Sequence, residues 1–315
     1  MRLSTWPRWV AGAAAGWGLG LVALTLSWAM GGDYGRPLAN FPLPAAFWQA
    51  LPVLAGLAAI TPLTGARSVA AAASLPVLGT FGLVMHLVAA LGTGRVADWP
   101  ALLVGLYCAV GSLLFIGTAL ARWRAGRGRC LRCGHDHEGE PVRRPAPPAV
   151  RWTAWLGAAA FLPYIAMKTV WALGVPIAGM RGPDLGGGTG LSGLLGRLGI
   201  DLTSIMALLG AVLSLALVHN WGQTFPAWTP FLAGRRVPRW LLLTPAWLGA
   251  TSLGVYPFVA LALLLSGADL SGAGGDMTWV AVVGLSGFGG WGITVGVAAL
   301  SYQRRTRPLC SSPVR

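Results

Sequence analysis

The sequence predicts an all-α integral membrane protein of about eight transmembrane helices, arranged as two four-helix repeats. Three observations lead there. Of 315 residues, 55% are hydrophobic and 10% charged, where a soluble domain carries roughly a quarter charged residues. Apolar stretches of about 20 residues, the length that crosses a bilayer, recur from end to end. A single long hydrophilic run, Arg122–Arg151, separates two apolar halves of similar length.

In chain order, Met1–Arg8 is a short basic start and Val10–Met30 is long enough to span. That apolar run exceeds the ~7–15 residues of a signal-peptide core and no convincing A-x-A site follows, so it reads as a retained helix. Further spans are Ala45–Leu63, Val69–Leu91, Pro100–Ala121, Trp152–Val175, Ile200–Val218, Trp240–Leu265 and Thr278–Leu300. At ~1.5 Å per residue each covers a ~30 Å hydrocarbon core with some tilt. Pro52 and Pro62 make Ala45–Leu63 the least regular of them. Residues 1–123 are thus a first repeat, 124–151 a basic linker, 152–303 a second repeat and 304–315 a tail.

The halves carry parallel signals. Trp28-Ala-Met-Gly31 ends the first span and Trp171-Ala-Leu-Gly174 ends the fifth. Gly65-x-Arg67 with Pro76 matches Gly234-x-Arg236 with Pro245 at the same offset. Asp98, Val104-Gly-Leu106, Ala119-Leu120 and Arg124 match Asp276, Val283-Gly-Leu285, Ala299-Leu300 and Arg304. Four spans per copy is an even number, so the copies share an orientation about an axis along the membrane normal.

Charge orients the chain. One side collects Arg2, Arg8, Arg67, eight linker arginines, Arg235, Arg236, Arg239, Arg304, Arg305, Arg307 and Arg315, against Arg36, Arg95, Arg181 and Arg197 on the other. An 18 to 4 bias assigns both termini and the linker to the cytoplasm of a bacterial plasma membrane. The net charge of +14 is then a topology signal. The partners it implies are the bilayer and the anionic lipids of the cytoplasmic leaflet, not nucleic acid. Arginine outnumbers lysine 22 to 1, which reads as a coding bias.

The linker holds Cys130-Leu-Arg-Cys133-Gly-His135-Asp-His137. Two thiolates on a tight turn resemble one knuckle of a zinc ribbon, and His135 and His137 can supply the remaining tetrahedral ligands. The competing reading is a basic loop lying on anionic lipid. A cytoplasmic position disfavours a standing disulfide.

Between His219 and Trp240, Trp221, Phe225, Trp228 and Phe231 interleave with Pro226 and Pro230 ahead of Arg235, Arg236 and Arg239. Proline prevents a regular helix, and the aromatic–arginine mixture reads as an interfacial anchor, with a ligand groove as the alternative. Gly12, Gly16 and Gly20, and Gly292 with Gly296, form GxxxG steps that let helices approach closely. Ser286–Gly292, with four glycines in seven residues, alternatively breaks the eighth helix as in transporters. Gly179–Gly199 is a glycine-rich outer loop with room for a short helix through Leu191, Leu194, Leu195 and Leu198.

Ionisable residues within spans are the default site candidates. Lys168 lies 16 residues into the fifth span, roughly 24 Å along the path. His86 is at similar depth in the third span, and Asp201 opens the sixth. Together they form a candidate substrate-binding group at the outer side; a lysine this shallow also reaches water unaided. No HExxH, GxSxG, GxxxxGK or paired acidic motif is present, so no catalytic residue is assigned.

Trp221–Pro230 (WGQTFPAWTP), Leu232–Pro238 (LAGRRVP) and Pro163-Tyr-x3-Lys168-x2-Trp-x-Leu-Gly174 resemble segments of uncharacterised multi-pass membrane proteins of actinobacteria. The likeness lies mainly in the second half and implies no activity. The functional expectation is a permease-like or envelope-associated membrane protein. Its alternative is a membrane-embedded enzyme acting on a lipid or isoprenoid, which requires carboxylates or histidines converging on a cavity.

Overall fold

Inside hydrocarbon each peptide N–H and C=O must find a partner within its own segment, and this chain meets that demand with helices. The computed structural model describes residues 6–36, 45–131, 133–134, 145–176, 190–198, 200–265 and 278–307. Among these the extended pairing is one isolated antiparallel bridge, Thr224 to Arg236. The helices are α1 (Trp6–Ala29), α2 (Ala45–Ile60), α3 (Ala66–Ala72), α4 (Ser74–Leu78), α5 (Leu83–Thr93), α6 (Trp99–Ala125) and α7 (Pro148–Ala160). There follow α8 (Leu162–Ala172), α9 (Gly190–Arg197), α10 (Leu202–Val218), α11 (Arg239–Leu253), α12 (Tyr256–Leu265) and α13 (Thr278–Thr306).

Among the described residues, six helical stretches are long and apolar enough to cross a membrane: Trp6–Ala29, Ala45–Leu63, Ala66–Thr93, Trp99–Ala125, Arg239–Leu261 and Val282–Thr306. The two others expected from the sequence differ. Trp152–Val175 is divided into α7 and α8 at Phe161, where Pro163 opens the second helix; proline lacks the N–H that would bond back into the preceding turn. The sixth stretch, α10, has 17 residues, and with α9 it forms a pair bent by 96°.

The chain forms two compact units. Residues Met1–Thr80, Trp99–Val142 and Arg307–Arg315 make the first; Phe81–Asp98 and Arg143–Thr306 make the second. The unit boundary between Thr80 and Phe81 falls inside the apolar stretch Ala66–Thr93. Gly79 abuts Cys108 Sγ so closely that a Cβ has no room, and Gly82 takes a left-handed φ of +80°, a conformation glycine adopts freely. Beyond that turn α5 belongs to the second unit. There the Ser252 hydroxyl accepts the Val84 N–H at 3.2 Å, satisfying one of the amides a helix start leaves open.

In the first unit α1 packs on α2 and α6, and α3 and α4 pack on α6. Trp17 stacks on Tyr107 with centroids 4.7 Å apart. The indole donates to the Tyr107 carbonyl at 3.0 Å, and the phenol donates to the Trp17 carbonyl at 2.6 Å. Gly111 leaves the room this indole fills. In lipid, where apolar surface alone does not hold helices together, such small-residue packing and interhelical bonds do. The close approaches on α1 fall at Gly18, against Ala59, and at Gly20, against the Tyr107 hydroxyl; Gly12 and Gly16 have no neighbour within 4 Å. The GxxxG register thus misses one of the contact points.

The second unit repeats the logic. Here α7 packs on α10 and α13, and α11 packs on α13. Trp291 stacks on Phe161 with centroids 5.2 Å apart and donates to the Gly210 carbonyl at 3.1 Å. Ser286–Gly292 does not break the last helix, since α13 is continuous. Its glycines instead admit the bend between α11 and α12: Gly292 abuts Gly254 and Gly289 abuts Pro257.

Candidate functional site

Two places in the structure gather chemistry. The first lies where α8 meets the start of α10. Asp201 is the N-cap of α10, its Oδ2 accepting the Ser204 N–H at 2.9 Å, as a helix start favours. The Thr203 hydroxyl also donates to Oδ2, and the Tyr164 hydroxyl donates to Thr203 at 3.1 Å. Lys168 Nζ stands 3.8 Å from Asp201 Oδ1. The ammonium also faces the Trp171 ring at 5.5 Å and the Tyr164 ring at 6.0 Å. The group is net neutral and fully knit together. Of the three candidates from the sequence it unites Lys168 and Asp201. His86 has another partner, its Nδ1 donating to the Gly82 carbonyl at 2.9 Å.

Thr203 also lines a slot of about 350 Å³ within the second unit. Val84, Met85 and Val88 of α5 form one wall, Met206, Ala207 and Leu213 of α10 another. Pro245, Leu248 and Gly249 of α11 close it, with Phe161, Phe288 and Trp291. Apart from the Thr203 hydroxyl and the Trp291 indole, which already has its acceptor, the lining is hydrocarbon and thioether. No carboxylate or histidine is among these lining residues. Sequence reading missed this slot, and with it Tyr164 and Thr203. The available signal was the hydroxyl two residues beyond Asp201; the recruitment of α5 had none.

The second place is the linker turn of the first unit. α6 ends in a Schellman arrangement: Gly128, at φ +63°, donates to the Ala125 carbonyl at 3.1 Å, and Arg129 to the Arg124 carbonyl at 3.0 Å. The chain then turns at Cys130, and Gly134, at φ +72°, donates back to the Cys130 carbonyl at 2.7 Å. Arg124 Nη1 donates to the Leu131 carbonyl at 2.7 Å, and Arg307 Nη1 to the Cys133 carbonyl at 3.0 Å. Cys130 and Cys133 are 2% and 4% exposed, so this part of the linker is a folded turn. His135 and His137 lie outside the described residues. Among the described residues no cluster of three or more metal-ligating side chains is found.

Between His219 and Trp240 the chain makes a short 3-10 turn and then folds back on itself. Phe225 donates to the Arg235 carbonyl at 2.9 Å and Val237 to the Gln223 carbonyl at 3.0 Å. Trp228 and Phe231 stand 80% and 95% exposed at its tip. Compared with protein-family models, with curated proteins and with solved structures, the chain matches none.

Proposed function

We propose that the chain is a non-enzymatic, permease-like component of a bacterial plasma membrane that takes the hydrocarbon chain of a membrane amphiphile into the slot of its second unit. The observation that carries this is the lining: a volume of about 350 Å³ with an apolar wall and one hydroxyl residue, Thr203, bonded to Asp201 of the neutral Lys168–Asp201 pair. A hydrocarbon wall holds a hydrocarbon chain, and a few convergent polar groups fix its orientation. Balanced charge favours a neutral or zwitterionic head over an anionic one. The alternative, an enzyme acting on a lipid or isoprenoid, needs acid–base groups facing the ligand. The lining offers none.

In this reading the chain crosses the membrane eight times, with both termini in the cytoplasm. The 18 to 4 arginine bias supports the orientation. Support for duplication comes from the order of neighbours. α1 packs on α2 and α6 as α7 packs on α10 and α13, and α3 packs on α6 as α11 packs on α13. Both third members of a repeat are also interrupted, at Gly79–Gly82 and after Leu253.

Native mass spectrometry of protein extracted in polymer-bounded nanodiscs tests the slot. One amphiphile, enriched over the surrounding lipid and depleted in Val88→Trp, is the expected result. A bound-lipid profile equal to the bulk, and unchanged by that substitution, overturns it.

A further inference from the structure

We infer that the second unit selects an amphiphile with an uncharged, hydroxyl-bearing head of the acylglycerol kind, through the polar group beside Thr203. This rests on the slot holding the hydrocarbon chain, and it specifies the other end of that ligand. Where the apolar lining reaches Thr203 and Phe288, polar side chains of three helices converge. The rings of Tyr164 on α8 and Tyr256 on α12 both pack on Phe288, with centroids 4.7 Å and 5.8 Å away. Tyr164 donates to Thr203 at 3.1 Å, and Thr203 donates to Asp201. The Tyr256 hydroxyl lies within electrostatic reach of Tyr164, on a half-buried side chain. No hydrogen bond from it is found among the described residues.

Hydrogen-bonding capacity decides the head. Asp201 Oδ2 is occupied by the Thr203 hydroxyl and by the Ser204 N–H and hydroxyl, at 2.9 Å and 3.3 Å for the latter two. Oδ1 instead faces Lys168 Nζ at 3.8 Å, and both side chains keep some exposure. That separation holds an ion pair but is too long for a hydrogen bond. An ammonium only donates and a carboxylate only accepts, whereas a hydroxyl does both. A ligand hydroxyl can therefore accept from Nζ and donate to Oδ1 while leaving the pair together. A phosphodiester or carboxylate head brings acceptors alone and sets a second negative charge beside Asp201. A trimethylammonium group brings no donor. An ethanolamine phosphate matches both partners only by prising them apart, one charge to each. A head that leaves enclosed polar groups unmatched forfeits more than a matched one gains.

The test offers heads that share one chain. Full-length protein in lipid nanodiscs is equilibrated with an equimolar mixture of 1-oleoylglycerol, oleoyl lysophosphatidylethanolamine, oleoyl lysophosphatidylcholine and oleic acid, and native mass spectrometry reads which stays bound. The expected result is retention of oleoylglycerol over the other three. Tyr256→Phe is expected to lower that preference about fivefold, the worth of one neutral hydrogen bond. Its thermal stability should match that of the wild type, because the hydroxyl removed holds nothing in the fold. Val88→Trp is expected to expel the bound probe whatever its head. A charged or zwitterionic probe retained best, yet expelled by Val88→Trp, overturns the head assignment and leaves the slot reading standing. An unaltered preference in Tyr256→Phe likewise overturns the head assignment alone. Retention of no probe above the bulk, with Val88→Trp indistinguishable from wild type, overturns both.

Discussion

Lys168 Nζ lies 3.8 Å from Asp201 Oδ1 while the other oxygen of that carboxylate caps α10. The two roles of Asp201 differ in worth. A partly exposed ion pair contributes up to about 1 kcal/mol, and both side chains retain some exposure, 17% and 25%. Loss of an N-cap costs roughly 0.5–2 kcal/mol. Asparagine caps as well as aspartate but carries no charge. Asp201→Ala is therefore expected to lower stability in detergent by about 1–2 kcal/mol, with Asp201→Asn and Lys168→Met each costing under about 1 kcal/mol. Thermal unfolding of the three variants checks this, and an Asn variant as damaged as the Ala variant would refute the capping argument.

Glycine 249 gives a second prediction. A Cβ built there would stand 2.5 Å from two carbons of the Trp291 ring, and that indole is held by the Gly210 carbonyl and the Phe161 ring. The indole has nowhere to retreat. Gly249→Ala is expected to cost about 1–3 kcal/mol through overpacking. Gly56→Ala, on α2 with no neighbour within 4 Å, is expected to be neutral or to stabilise by about 0.5–1 kcal/mol, as glycine within a helix does when replaced. Equal effects at the two positions would show that close helix approach is not what Gly249 provides.

The orientation is open to a direct test. A reporter active only in the cytoplasm, fused after Arg144 or Arg307, is expected to give signal, whereas fusions after Asp98 or Gly188 are not. Activity after Gly188 would sink the eight-span topology, because that position then shares a side with the linker.

What the sequence could disclose follows from the range of each interaction. Helical character and membrane-length stretches are local, written in runs of apolar residues, and six stretches stand as read. The pairing of Lys168 with Asp201 was readable from depth alone, since both lie near the same end of the fifth and sixth stretches expected to span. The transfer of α5 to the second unit was not. It depends on Cys108 leaving no room beside Gly79, and on a Ser252 hydroxyl meeting the Val84 amide, residues far apart in sequence with nothing periodic to announce them. The slot inherits that silence, because α5 supplies one wall. The grip of Arg307 on the cysteine turn is equally non-local. The glycine motifs misled in a different way: a GxxxG spacing identifies a helix face but not the partner, and of the two close contacts on α1 one fell in that register at Gly20 and the other outside it at Gly18.

The aromatic turn supplies the last prediction. Phe231 holds φ at +62°, a left-handed conformation uncommon for a bulky residue. It does so at the tip of a segment fixed by bonds from Phe225 to Arg235 and from Val237 to Gln223. Strain of this kind persists only where the surroundings impose it, and here it thrusts a phenyl ring outward at 95% exposure, beside Trp228 at 80%. In water both rings are a liability. At a bilayer surface their apolar bodies sit among acyl chains and headgroups, with Arg235 and Arg236 left to meet anionic phosphates. A nitroxide placed at residue 231 of the protein in lipid nanodiscs is therefore expected to be relaxed more strongly by oxygen than by a water-soluble nickel chelate. Replacing Phe231 by glycine should relieve the backbone strain and raise stability in detergent slightly, by under about 1 kcal/mol, while weakening retention at the interface. Preferential relaxation by the nickel chelate would place the tip in water and remove the anchoring role.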